Sequence, residues 1–151
     1  MNCRKTILLV EDSSQDADLT RRALAKSSIL NEVIVVADGQ QALDYLRGDG
    51  AYRDQRQAYT PTLVLLDLKL PKLSGLDLLR AIRADQRLCR LPVVILTGSP
   101  HDEDVLAGYH LGVNSYVRKP IDVKEFQVAI ESIGLYWLFV NEPDPLLNFC
   151  Q

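Results

Sequence analysis

Five short apolar runs, each followed by a helical pattern, constrain the fold of this chain more than any other feature. The runs cover residues 6–10, 33–37, 63–66, 93–96 and 115–117. They are rich in Val, Ile and Leu and nearly continuous in apolarity, which suits strands buried on both faces of a parallel sheet. Helical spacing follows at residues 16–26, 40–46, 76–84 and 102–111, and a last helix starts at Asp122. Asp38 and Ser74 stand where N-caps are needed, Gly112 stands after the fourth helix, and Asp122 with Glu125 resembles a capping box. Five βα units joined by right-handed crossovers give an α/β, doubly wound (βα)5 parallel sheet with helices on both faces.

Composition narrows the function. At 151 residues the chain has room for one domain and one good core. A net charge of −3 argues against a general nucleic-acid binder. No apolar stretch approaches the roughly 20 residues of a membrane span, and the N-terminus lacks the pattern of a secretory signal. Cys3, Cys89 and Cys150 are odd in number and far apart, with no CxxC, so a reduced, cytoplasmic protein is expected.

In doubly wound sheets the ligand sits beyond the C-terminal strand ends. Glu11 and Asp12 end the first strand, Asp67 ends the third, Thr97 follows the fourth and Lys119 the fifth. Adjacent carboxylates raise one another's pKa, and a divalent cation removes that penalty. Oxygen ligands suit Mg2+, which keeps several waters and binds through few protein groups. Glu11 and Asp12 alone also fit a polar strand exit capping the next helix. Asp67 is more pointed, because a charged carboxylate ending a buried strand is costly unless paired or functional. An aspartate beside a metal can attack phosphorus. Lys119 offers a cation and Thr97 a hydroxyl to phosphoryl oxygens, so together these residues read as a phosphoryl-transfer site.

Four segments, ILLVEDSSQDA, LVLLDLKLPKLSG, VVILTGS and GVNSYVRKPID, resemble in order the signature regions of two-component response regulator receiver domains. The resemblance spans residues 5–133. It implies a flavodoxin-like sheet of strand order 2-1-3-4-5 and Asp67 as phosphoacceptor. It further implies Glu11, Asp12, Asp67 and the Lys69 carbonyl as ligands of Mg2+, with Mn2+ as a substitute. Thr97 would be the switch hydroxyl, Tyr116 the switch aromatic and Lys119 the phosphate-binding lysine, set by a cis Lys119–Pro120 bond. The long polar stretch 47–62 and the apolar tail resemble stand-alone regulators that partner phytochrome-type histidine kinases. Such a regulator has residues 1–140 as one receiver domain, 141–151 as a tail, and no output domain or direct DNA binding. It is a signalling protein rather than an enzyme acting on outside substrates.

His101 and His110 are not needed by this site, and no nucleotide loop is present, so the phosphoryl donor is another protein or a small phosphodonor. A haloacid-dehalogenase-like phosphatase would carry a second aspartate where Lys69 stands. A dinucleotide enzyme would show GxGxxG after the first strand. An unphosphorylated receiver-like interaction module would lack a site residue. Leu135, Tyr136, Trp137 and Phe139 lie in six consecutive apolar residues, more than one helix face buries. They are expected either to supply a self-complementary homodimer patch or to fold back on their own domain.

Overall fold

The computed structural model describes residues 5–26, 31–55 and 60–147. Cys3, Tyr59 and Cys150 fall outside that range. Strands β1 (Lys5–Val10), β2 (Asn31–Val36), β3 (Leu63–Leu66), β4 (Val93–Thr97) and β5 (Ser115–Arg118) alternate with helices α1 (Ser14–Ala25), α2 (Gly39–Arg47), α3 (Gly75–Ala84), α4 (Asp102–His110) and α5 (Val123–Leu135). All strand pairs are parallel and the order is β2-β1-β3-β4-β5, as expected. The second strand starts two residues earlier than its apolar run, because Asn31 and Glu32 pair with Lys5 and Thr6 at the sheet margin.

Successive strand residues point to opposite faces, and the continuous runs therefore fill two cores. Leu8, Val10, Val64, Leu66, Val93 and Ile95 pack with Leu43, Leu46, Leu78, Leu79 and Ile82 on the α2–α3 side. Ile7, Leu9, Leu63, Leu65, Val94 and Leu96 pack with Leu24, Phe126, Ile130 and Ile133 on the α1–α5 side. Each fully buried leucine or isoleucine contributes about 2 kcal/mol of transfer free energy.

Helix starts follow the expected chemistry. Ser13, Asp38, Ser74 and Asp122 each accept a backbone N–H of the first turn with the side chain. Helix α4 differs. His101 stands at its N-cap with no side-chain bond, and three acids in the first turn face the helix dipole instead. Gly112, at φ 90°, then ends α4 in a conformation that costs any other residue strain.

Opposite the strand C-termini, Arg83 on α3 holds the loops together. Its Nε donates to Gly112 O (2.8 Å), Nη1 to Cys89 O (3.1 Å) and Leu91 O (2.7 Å), and Nη2 to Asn114 Oδ1 (2.9 Å). Asn114 Oδ1 in turn accepts Val93 N–H at 2.8 Å. Arg83→Met keeps the stem but removes the donor to the Gly112, Cys89 and Leu91 carbonyls, while Asn114 Oδ1 keeps the Val93 N–H. It is expected to cost about 2–4 kcal/mol, read as a lower urea midpoint at unchanged slope.

The stretch 47–62 contributes a 3-10 turn at Gly50–Gln55, whose Tyr52 meets Tyr45 edge-on with centroids 5.2 Å apart. The apolar tail continues α5 as a π-helical turn, Tyr136–Val140. Its faces divide. Leu138 is fully buried and Trp137 packs against the α1–α5 core, whereas Leu135, Tyr136, Phe139 and Val140 are exposed. Trp137 is partly buried, between the enclosed Leu138 and the exposed Tyr136 and Phe139. Lys5 Nζ donates to Leu138 O, the Arg90–Asp144 ion pair (2.7 Å) ties the following residues back, and Leu147 is buried. Among the described residues, no helix is long and apolar enough to cross a membrane.

Candidate functional site

Parallel pairing brings the ends of β1 and β3 side by side. Val10 pairs with Leu66, and Asp67 N–H donates to Val10 O at 3.1 Å. Glu11, Asp12 and Asp67 consequently converge, each with a carboxylate oxygen within 4.8 Å of the others. Glu11 is buried, Asp12 is exposed and Asp67 lies between. That donor set, all oxygen and graded from buried to solvent, fits a hard divalent cation that keeps part of its water.

Lys119 enters from the end of β5, where Lys119 N–H donates to Thr97 O at 2.8 Å. Its Nζ donates to Glu11 Oε1 (2.5 Å), Asp16 Oδ2 (3.0 Å) and Asp67 Oδ2 (3.2 Å). Among the described residues there is no cis peptide bond, so Lys119–Pro120 is trans and the expectation of a cis bond is corrected. The three carboxylates and the β4–β5 pairing aim the lysine inward without one. The other Asp67 oxygen, Oδ1, accepts the Thr97 hydroxyl at 3.0 Å and Lys69 N–H at 3.3 Å. Gly75 closes the floor. A Cβ there would lie 2.3 Å from Asp67 O, so only glycine lets α3 start this close to the acidic loop.

The electrostatics follow from burial and these partners. Burial pushes Glu11 up to about 7; the Lys119 hydrogen bond offsets this only partly, and the Asp67 charge adds to it. Burial acts the same way on Asp67, but Lys119 and the bonds from Glu11 and Thr97 outweigh it and hold Asp67 below the ordinary carboxylate value. For Lys119, burial opposes the charged form, yet the bonds to Glu11 and Asp16 and the Asp67 charge raise it above the ordinary lysine value. A carboxyl that binds its proton more tightly folded than unfolded stabilises fully below its unfolded pKa of 4.5, and that contribution is lost as pH rises toward 7. Metal-free protein is therefore expected to lose on the order of 2–3 kcal/mol between about pH 4.5 and 7 from this group. Thermal melts across that window should show the decline, and Glu11→Gln should flatten it.

Tyr116, on β5, reaches under α4. Its ring packs beside Gly108, and its hydroxyl oxygen is enclosed with no hydrogen-bond partner among the described residues. It lines a groove of about 260 Å³ with Asp102, Val105, Tyr109 and Arg118. Asp104, the nearby acid, is taken by the Ser99 hydroxyl at 2.5 Å. The sequence reading missed Asp16 and this Ser99–Asp104 pair. Asp16 had a signal: an acid in the first turn of the helix that follows β1. In the sequence alone it reads only as the first residue of a helix spanning 16–26.

Comparison with known proteins agrees with this geometry. The response regulator receiver domain model matches residues 7–131. Response regulator Rcp1 from Synechocystis sp. is 40% identical over 137 residues, 91% of each chain. The solved structure of RcpA, a cyanobacterial phytochrome response regulator in its phosphorylated form, superposes with a TM-score of 0.87 at 38% identity, covering 93% of this chain and 98% of that one. The Mn2+-bound form of Rcp1 gives a TM-score of 0.86 at 38% identity, covering 93% and 99%. A fold, a convergent acidic site and a family match that coincide over most of the chain place it in the response regulator receiver domain family.

Proposed function

We propose that the chain accepts a phosphoryl group on Asp67 from a sensor histidine kinase of the phytochrome type. One observation carries this reading: a single carboxylate lies within the acidic cluster and is also bonded by Lys119 and Thr97. An Asp67 oxygen attacks phosphorus, the bond from phosphorus to the donor breaks, and the donor leaves with that electron pair. Lys119 and the Thr97 hydroxyl then serve the new phosphoryl oxygens. Glu11, Asp12, Asp67 and the Lys69 carbonyl would hold Mg2+, with Mn2+ as a substitute. When bound, the ion supplies positive charge for the phosphoryl oxygens. Incubation with Mg2+ and acetyl phosphate, followed by intact mass, tests the reading. A mass gain that chelator prevents supports it, and an unchanged mass contradicts it.

Similarity to the phytochrome response regulator RcpA supports the phytochrome-type kinase, and transfer from the phosphorylated kinase tests it. In this reading residues 1–140 are the receiver unit, 141–151 are its tail, and the protein acts in the cytoplasm. The switch runs from Thr97 to Tyr116 as a two-state equilibrium biased by phosphorylation. Thr97→Ala is expected to accept the phosphoryl group yet to show a weakened change in Tyr116 environment with beryllofluoride. An unchanged response would break the coupling.

The exposed side of the tail supports a symmetric homodimer, since Leu135, Tyr136 and Phe139 face outward on one turn and Phe139 is 71% exposed. Light scattering of the parent and of a Tyr136→Glu, Phe139→Glu variant tests it. A parent that is monomeric at micromolar concentration contradicts the dimer.

A further inference from the structure

We propose that Asp16 is a positioning residue for Lys119, the tether that keeps the ammonium aimed at Asp67; this rests on Asp67 being the phosphoacceptor. Lys119 Nζ has three N–H donors, and three carboxylates take them. Two of those carboxylates, Glu11 and Asp67, belong to the cluster that fits a cation. A cation and the lysine therefore draw on the same two side chains. Asp16 lies outside that cluster, so its bond to Nζ (3.0 Å) does not compete with a bound ion.

A second observation separates Asp16 from an ordinary helix-start acid. It stands three residues after the N-cap Ser13, the position from which a capping-box acid turns back to the N-cap N–H. Here Ser13 N–H lies 3.4 Å from Glu11 Oε2 instead, and the Asp16 carboxylate reaches Lys119. The first turn of α1 thus presents its acid to the site rather than to its own backbone. The Asp16 side chain is 39% exposed, whereas its partner lysine is only 13% exposed. Without this tether, the long, flexible lysine side chain depends on groups that a cation also claims, and misplacement of a positioned group slows transfer.

The test uses full-length parent, Asp16→Ala and Asp16→Asn with acetyl phosphate, across a Mg2+ titration. Asp16→Ala is expected to lower the maximal rate of Asp67 phosphorylation about tenfold. The Mg2+ concentration at half-maximal rate should stay unchanged. Asp16→Asn keeps an oxygen acceptor in place and should recover most of the rate. Labelling of Asp16→Ala at the parent rate overturns the proposal, as does a loss seen only as a higher Mg2+ requirement. So does an equal loss in both variants accompanied by lower melting temperatures. A readout without phosphodonor keeps this separate from the acceptor assignment. The 15N signal of the Lys119 ammonium, assigned with Lys119→Arg, should exchange slowly in the parent and faster in Asp16→Ala. If it is unchanged in Asp16→Ala, Asp16 does not hold the lysine, whichever residue accepts the phosphoryl group.

Discussion

Asp67→Asn is expected to take up no phosphoryl group under conditions that label the parent. The amide keeps the size and shape of the side chain and can still accept from Thr97 and Lys69. It lacks the anionic oxygen that attacks phosphorus, so the loss is total rather than graded. The same change removes one of three converging negative charges. The Asp67 charge helps push Glu11 up, so its removal should bring Glu11 down and relieve the site. Metal-free Asp67→Asn is therefore expected to melt at or above the parent temperature near neutral pH, and its stability should depend less on Mg2+. A variant that was merely unfolded would lose both, so intact mass and a thermal melt on one preparation separate the two outcomes.

Lys119→Met carries the second large effect. Methionine replaces most of the stem but removes the charge that Glu11, Asp16 and Asp67 share. Lys119 and Glu11 are both largely buried, at 13% and 4% side-chain exposure, so little solvent takes over the screening. Breaking such a pair by removing one partner costs about 3–5 kcal/mol, tempered here because Glu11 can keep its proton. Phosphorylation should also slow at least about a hundredfold, the usual effect of losing one aimed donor to developing oxyanions. Mg2+ neutralises the same carboxylates. It should restore much of the lost stability in Lys119→Met without restoring the rate. Recovery of both would reduce the lysine to a charge balance for the acids.

The strands were readable because their patterning and their burial have the same cause. A parallel sheet covered on both faces wants continuous Val, Ile and Leu, and Leu63–Leu66 and Val93–Thr97 are buried throughout. Helix starts at Asp38 and Ser74 were readable because one polar side chain satisfies one orphan N–H locally. Glu11, Asp67, Thr97 and Lys119 could be placed because each stands at or just past a strand end, and strand ends are fixed once the sheet is. What could not be read depends on contacts between distant segments. Asp16 turns to Lys119 rather than to Ser13 only because β1 and β5 both deliver groups to α1. The dipeptide Lys119-Pro120 does not encode which isomer its bond adopts, and here it is trans. The tail showed too many apolar residues for one face, but its π-helical turn decides that Leu138 and Trp137 go inward and Tyr136 and Phe139 outward.

The most direct measurement is chemical mapping of the phosphorylated residue. Protein treated with Mg2+ and acetyl phosphate is reduced with borohydride, which converts an aspartyl phosphate to homoserine, and its peptides are sequenced by mass spectrometry. Homoserine at position 67, absent when chelator is present, is the predicted result. Homoserine at Asp12 or at any other aspartate, with position 67 unmodified, would contradict the assignment of Asp67 as the phosphoacceptor.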